Sequence, residues 1–141
     1  MITPDANIIL YAYNEDAPQH AQAKEWLEEQ FLSPLSFGLN WQVITAFLRI
    51  STNPRAFPQP FDLPEAIEIV GEWIEHPNVE ILTPTANHWT IFQNLIVEGQ
   101  TKAALMMDAH LAALAIEHDA TLATTDRDFS KFSNLKTINP L

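Results

Sequence analysis

The sequence predicts an α/β fold in which helices cover both faces of a short parallel sheet. Short apolar segments with strand character alternate with longer helical patterns, which is typical of parallel sheets buried between helices. The chain has 141 residues, of which 47% are hydrophobic, so it is long enough to bury one core. It contains no cysteine, which excludes disulfides and zinc–thiolate sites.

Five segments are predicted to be strands. The first is very short and ends at Pro4-Asp5, and the fourth is a largely apolar run of the kind found in buried strands. Parallel strands need long crossover connections, and helical patterns fill the gaps between these segments. The predicted strands cover residues 1–3, 35–39, 79–82, 120–124 and 135–139.

Six segments show apolar residues at helical spacing. In residues 6–13 the side chains of Ile9, Leu10 and Tyr13 share one face, and Pro64 stands at the first turn of a later helix, where proline is favoured. The last helix is rich in Ala and Leu, which are strong helix formers. The predicted helices cover residues 6–13, 17–31, 40–51, 63–76, 86–98 and 107–118.

The segment 51–64 separates two of these helices and contains four prolines. Prolines at this density stop helices and stiffen a connection, so we expect a surface loop here. The segment is too short and too central to divide two domains, and the chain shows no repeat or low-complexity tract. We therefore predict a single domain over residues 1–141.

The charge of the chain is strongly unbalanced. It carries 18 acidic and 7 basic residues, for a formal net charge of -11. Such a surface repels nucleic acid at long range and favours basic partners, or cations collected at a local group of acids. Much of the charge lies in two helical segments, where a solvated helix face is the simplest explanation. No apolar run approaches the roughly 18 residues that span a bilayer, and the N-terminus has no signal-peptide features, so we expect a cytoplasmic protein.

Three acids that are far apart in the sequence are predicted to meet. Asp5 follows the first predicted strand, Asp126 follows the fourth, and Asp108 stands at the start of the last helix. All three positions lie at the carboxyl edge of the predicted sheet, where α/β folds bind ligands. Crowded carboxylates repel one another, and a divalent cation removes that conflict. Oxygen-only ligation suits Mg²⁺ or Mn²⁺, which could polarise a phosphodiester and activate water for its hydrolysis.

Each acid also has a simpler structural explanation. Asp5 could cap the first helix, and Asp108 could cap the last one or complement its dipole. Of Asp126 and Asp128, one could cap the short turn that follows, and Asp128 is favoured for that role. The individual signals are weak, so the metal hypothesis depends on their convergence at one edge of the sheet.

Four segments resemble the PIN domain, and within it the VapC-type toxin ribonucleases of toxin–antitoxin pairs. They read PDANIILYAY, FLRISTNPRAF, MDAHLAALAIEHDATLATTDRDF and NPL, and they follow the family's order over nearly the whole chain. The resemblance implies a three-layer α/β/α fold with about five parallel strands. It also implies a Mg²⁺-dependent endoribonuclease, with Mn²⁺ as a possible substitute, that cleaves RNA, forms a homodimer and pairs with a VapB-like antitoxin.

The resemblance also assigns individual residues. Asp5, Asp108 and Asp126 match three of the family's acids, which implies that they are catalytic and bind the metal. Thr124 and Thr125 match the small hydroxyl residues beside the last acid. With three of the acids in place, we expect one well-held metal ion on the first two and a direct or water-mediated contact from the third.

One position departs from the family. A glutamate is usual in a Thr-Ala-Glu-Leu pattern, where this chain reads TAFL at residues 45–48. Phe47 takes the place of the acid, and no other acid lies between Phe31 and Phe61. Glu98, on another helix, has no feature that assigns it to the site. An alternative reading is therefore a catalytically weak or inactive PIN-like module that binds RNA or a protein partner without cleavage.

The basic residues are few, so their positions are informative. Arg49 and Arg55 flank the region that lacks the glutamate, and Arg127 follows the last acid. If they lie near the same sheet edge they could bind phosphates, and we predict them, with Thr124 and Thr125, as substrate-binding residues. Scattered surface charge is the simpler alternative.

Overall fold

The computed structural model describes residues 1–141 and contains one five-stranded parallel sheet. The strands are β1 (Ile2–Pro4), β2 (Phe37–Leu39), β3 (Val79–Ile81), β4 (Thr121–Ala123) and β5 (Thr137–Ile138). Their order in the sheet is β3-β2-β1-β4-β5, so the first strand is central. All four strand pairs are parallel.

Six α-helices cover the sheet in a three-layer α/β/α arrangement, as the sequence predicts. They are α1 (Ala6–Tyr13), α2 (His20–Leu32), α3 (Trp41–Ser51), α4 (Leu63–Glu75), α5 (His88–Glu98) and α6 (Met106–Glu117). Two short 3₁₀ helices, Ala103–Leu105 and Arg127–Lys131, precede α6 and follow β4. None of the helices is both long enough and apolar enough to span a membrane.

The predicted elements are all present, but several of their bounds differ. Four of the five strands are shorter than predicted; β2 begins later, and β4 and β5 are shorter at both ends. Asp5 and Asn40 directly follow β1 and β2, and each is the N-cap of the next helix. The helix predicted to begin at residue 17 begins at His20, because the amide of His20 donates to the carbonyl of Ala17 in a preceding turn.

Local capping explains where α3 and α4 begin. The Oδ1 atom of Asn40 accepts a hydrogen bond from the amide of Val43 at 3.0 Å. At the start of α4, Asp62 accepts from the amide of Glu65 at 2.8 Å and the two residues form a capping box, with Pro64 in the same turn. The cap at Asn40 ends β2 and brings the N-terminus of α3 to the carboxyl edge of the sheet.

Aromatic residues dominate the core between α1, α3 and α4. The ring centroid of Phe47 lies 4.6 Å from that of Trp73 and 5.2 Å from that of Tyr13. Trp73 also donates a hydrogen bond from Nε1 to the hydroxyl of Tyr13 at 2.9 Å. Phe47 is 0% exposed, so it is a central part of this aromatic group. Contacts of this type stabilise a fold beyond their buried area.

Candidate functional site

The register of the sheet places Asp5 beside Thr124. Pro4 of β1 pairs with Ala123 of β4, so the next residues of both strands are neighbours at the carboxyl edge. The amide of Asp5 donates to the carbonyl of Ala123 at 2.8 Å. The hydroxyl of Thr124, which is buried, donates to Oδ2 of Asp5 at 3.0 Å. The parallel pairing of the two strands therefore aims one carboxylate and one hydroxyl at the same point.

The surroundings of Asp5 disfavour the ionised form of its carboxylate. Burial raises the pKa of Asp5, and the nearby charge of Asp126 raises it further. The hydrogen bond from Thr124 and the amides of Ala6 and Asn7 act in the opposite direction and favour the ionised form. Asp5 occupies the N-cap position of α1, but its side chain makes no capping hydrogen bond.

Asp108 lies in the first turn of α6, as predicted, and belongs to the same electrostatic environment. Burial raises the pKa of Asp108, and the charges of Asp5, Asp126 and Asp128 raise it further, whereas Lys131 lowers it. The charges of both other predicted ligands act on Asp108, although Asp5 is more than 100 residues away from it in sequence. Asp5, Asp108 and Asp126 therefore lie at the same edge of the sheet, and their role as metal ligands stays a prediction.

Asp126 is partly engaged by its own turn. Its Oδ1 atom accepts a hydrogen bond from the amide of Asp128 at 2.8 Å and caps the 3₁₀ helix. The capping residue is thus Asp126, and the expectation that favoured Asp128 is wrong. The amide of Asp126 donates to the hydroxyl oxygen of Thr124 at 3.0 Å. Thr124 consequently links Asp5 and Asp126 through one oxygen atom.

The donors at this edge fit a hard divalent cation. They are carboxylate oxygens, and two of the carboxylates have a raised pKa because they are buried close to like charge. A divalent cation would relieve that repulsion. No three Asp, Glu or His side chains are already compact enough to enclose an ion. Binding of an ion by all three acids would therefore require their side chains to move closer together.

The predicted substrate-binding residues fall into two groups. Thr124, Thr125 and Arg127 line a cleft of about 290 Å³ beside Asp126, between the ends of β4 and β5. Arg49 and Arg55 are exposed and do not line this cleft. The basic side chain whose charge influences these acids is that of Lys131, which lowers the pKa of Asp108. The largest cleft, about 440 Å³, lies between α1, α2 and α4 and contains none of the three acids.

The structure also shows where Phe47, at the position of the usual glutamate, lies. Phe47 points into the aromatic core, so a side chain at that position does not face the acids. Gln42, in the first turn of α3, donates from Nε2 to the carbonyl of Met107 at 3.2 Å. Glu98 is held elsewhere, by the amide of Ser133 at 2.7 Å.

Sequence reasoning missed two polar groups near the edge. Asn40 and Gln42 each have a buried amide atom without a hydrogen-bond partner, and the only sequence signal was their position just after a strand. It also missed a network in which His88 lies 2.8 Å from Glu117 and 3.0 Å from His110. The ring of His110 therefore contacts α5.

Comparison with known proteins agrees with this geometry. The family model of the PIN domain matches residues 2–135. Among curated proteins, the chain is 38% identical to ribonuclease VapC33 of Mycobacterium tuberculosis over 141 residues, which cover 100% of this chain and 99% of the relative. It is 35% identical to ribonuclease VapC37 of the same species over 136 residues, covering 96% of this chain and 94% of the relative.

Solved structures support the same fold. VapBC2 from Rickettsia felis, bound to a promoter DNA fragment, has a TM-score of 0.71 at 19% identity and covers 99% of this chain and 98% of that chain. The sarcin-ricin-loop-cleaving toxin VapC20 of M. tuberculosis has a TM-score of 0.68 at 15% identity, with coverage of 94% and 95%. The sequence matches and the shared fold together establish that this chain belongs to the PIN domain family, among the VapC-type ribonucleases.

Proposed function

We propose that this chain is the toxin of a toxin–antitoxin pair and an endoribonuclease that hydrolyses RNA phosphodiester bonds at the edge formed by Asp5, Asp108 and Asp126. The observation that carries the proposal is the meeting of these three acids, two of them joined through the hydroxyl of Thr124. The curated relatives named ribonuclease VapC support the reaction class.

VapC ribonucleases with a PIN domain generally depend on a divalent metal ion. In this chain the ion is Mg²⁺, with Mn²⁺ able to replace it, and Asp5 and Asp108 hold it. Asp126 contributes directly or through a bound water. The bound ion would polarise the phosphoryl oxygen and lower the pKa of a water molecule.

The neighbouring residues stabilise the ionised carboxylates and bind the substrate. Thr124 donates to Asp5 and stabilises its ionised form. Thr125 and Arg127 line the adjacent cleft, where they can donate to phosphate oxygens of the RNA. Arg49 and Arg55 lie outside that cleft, so their contribution is limited to RNA that extends along the surface.

The partner protein and the oligomeric state are inferred from membership of the same family. A VapB-like antitoxin is the partner, which the solved toxin–antitoxin complexes of similar fold support. The net charge of -11 suits a basic partner segment, since an inserted arginine could pair with the carboxylates. The chain forms a homodimer, residues 1–141 are one PIN domain, and the protein acts in the cytoplasm, where its RNA substrate is found.

The test of the proposed function is RNA end mapping. The protein, freed of antitoxin, is incubated with total cellular RNA and Mg²⁺, and new 5′ ends are sequenced. We expect discrete ends that disappear when EDTA is added and in the Asp5→Asn variant. If the folded protein produces no new ends with either Mg²⁺ or Mn²⁺, the proposed activity is wrong.

A second candidate is a PIN-like module that binds RNA or a partner without cleaving. It is favoured by one observation, which is that no three acidic or histidine side chains are already arranged around an ion site. It predicts retained RNA binding with no new ends in the same experiment. Gel-shift titration of the same RNA, run beside the end mapping, distinguishes a binding protein from one that does not recognise RNA.

The hydroxyl of Thr124 gives a prediction about pH. Thr124→Val removes the hydrogen bond that lowers the pKa of Asp5, so that pKa rises and a higher pH is needed to ionise the carboxylate. We expect the acid limb of the cleavage pH profile to shift to higher pH, with activity at neutral pH reduced about 10-fold. Thr124→Ser keeps the hydroxyl and serves as the control. An unchanged acid limb in the valine variant would show that Thr124 does not tune Asp5.

A further inference from the structure

The first turn of α3 carries two polar atoms that have no partner. Asn40 is 1% exposed, and its Oδ1 atom accepts from the amide of Val43, but its Nδ2 donor is buried without an acceptor. Gln42 donates from Nε2 to the carbonyl of Met107, but its Oε1 atom is buried without a donor. The two hydrogen bonds that are made fix which end of each amide carries nitrogen.

Both amides stand next to the acids. Ile2 of β1 pairs with Phe37 of β2, so Asp5 and Asn40, which directly follow the two strands, leave the sheet at the same edge. Gln42 is tied to Met107, the residue that immediately precedes Asp108 in α6. One amide thus flanks the first acid and the other flanks the second.

Unpartnered buried polar atoms call for a physical explanation. Leaving a buried donor or acceptor without a hydrogen bond opposes folding, and native proteins keep few such atoms outside functional sites or sites of bound water and ions. Here a donor and an acceptor occur within three residues, at the edge where two carboxylates already repel each other. A neutral amide oxygen is a suitable ligand for Mg²⁺ or Mn²⁺ and adds no negative charge to that edge.

We propose that Gln42 supplies a neutral oxygen, through Oε1, to the divalent cation held by Asp5 and Asp108. Asn40 donates through Nδ2 to a water molecule or phosphate oxygen beside the same ion. Gln42 is bonded to the residue that precedes Asp108, whereas Phe47 is buried in the aromatic core. The inference rests on the proposed metal site. It makes the side-chain amide of Gln42 a metal ligand in place of the glutamate that is usual in the family.

The test measures Mn²⁺ affinity of the full-length, antitoxin-free protein by titration calorimetry, independently of cleavage. Gln42→Met removes the oxygen at similar length, and Gln93→Met, at an exposed position of α5, is the matched control. We expect Gln42→Met to weaken Mn²⁺ binding about 10-fold and Gln93→Met to leave it unchanged. Equal affinity in wild type and Gln42→Met would overturn the proposal.

A conservative variant separates a ligand from a structural anchor. Gln42→Glu keeps an oxygen at the same reach but cannot donate to the carbonyl of Met107. We expect Gln42→Glu to bind Mn²⁺ at least as tightly as wild type. If it weakens binding as much as Gln42→Met does, Gln42 only fastens α3 to α6 and the proposal is wrong.

Two further variants complete the design. Asn40→Ser retains a side-chain cap for α3 but lacks the Nδ2 donor, and we expect it to weaken Mn²⁺ binding by a smaller factor than Gln42→Met. An unchanged affinity would remove Asn40 from the proposal.

The Asp108→Asn variant distinguishes the proposed amide ligand from the proposed metal site. Loss of binding in this variant but not in Gln42→Met would overturn the amide proposal alone, whereas no Mn²⁺ binding by wild type would overturn the metal site as well.

Discussion

Replacing Asp108 by asparagine is expected to lower RNA cleavage at least about 100-fold and, at the same time, to stabilise the metal-free protein. Cleavage falls because a proposed metal ligand is lost. Stability rises because the ionised carboxylate is partly buried and repelled by Asp5 and Asp126, and a neutral amide of the same shape avoids both effects. The measurements are single-turnover cleavage with Mg²⁺ and thermal unfolding in EDTA.

The pH dependence of stability checks the same explanation. A carboxyl whose pKa is higher in the folded than in the unfolded state makes the folded state bind more protons. The contribution of Asp5 and Asp108 to stability therefore increases as pH falls through their raised folded-state pKa values, and levels off below the ordinary value of 3.8. Asp108→Asn should reduce this increase.

A charge-matched control separates local repulsion from net charge. Asp16 is exposed in the loop after α1, so Asp16→Asn removes the same charge away from the edge. We expect this variant to retain full cleavage and wild-type stability within about 0.5 kcal/mol. If Asp108→Asn destabilises the metal-free protein, or stabilises it no more than Asp16→Asn does, repulsion among the three acids is not the cause.

Placing a glutamate at Phe47 is expected to destroy the fold rather than restore an acidic ligand. Phe47 is fully buried against Trp73 and Tyr13, with no partner for a charge. Truncation by Phe47→Ala should lower the free energy of unfolding by about 3–5 kcal/mol. Phe47→Glu should lower it at least as much, because a buried carboxylate adds a desolvation cost. Urea denaturation followed by circular dichroism measures both changes.

The control for this prediction lies on the same helix. Thr45 is exposed on α3, so Thr45→Glu adds the same charge without burying it, and we expect a change of stability within about 0.5 kcal/mol. A stable Phe47→Glu protein with increased Mn²⁺ affinity would contradict the assignment. It would mean that residue 47 reaches the acids and that Gln42 does not stand in for the missing glutamate.

Sequence alone determined the fold class and the place of the acids. Alternating strand and helix patterns predicted five parallel strands and six helices, and both are observed. Because strands of a parallel sheet end at a common edge, positions such as Asp5 and Asp126 could be brought together without knowing any contact. The resemblance to the PIN domain came from residues spread over nearly the whole chain, and the family comparison confirmed it.

Strand and helix bounds were less predictable. The ends of short strands depend on which residues find a partner in the ladder, which is a property of the neighbouring strand. Residues 35 and 36 were predicted to belong to β2, but the strand begins at Phe37 and has only three residues. The strand propensity of one segment does not show which of its residues will pair with a neighbouring strand.

The tertiary structure alone decided which side chains meet at the edge. The oxygen of Thr124 joins Asp5 to Asp126. Gln42 is bonded to Met107, next to Asp108, whereas Phe47 is buried in the core. These relations depend on strand register and on the rotation of α3 about its axis. A shift of one residue in strand register, or a rotation of a helix by about 100°, changes the neighbour of every side chain. The pattern of apolar residues does not fix the rotation of a helix closely enough to choose between adjacent positions.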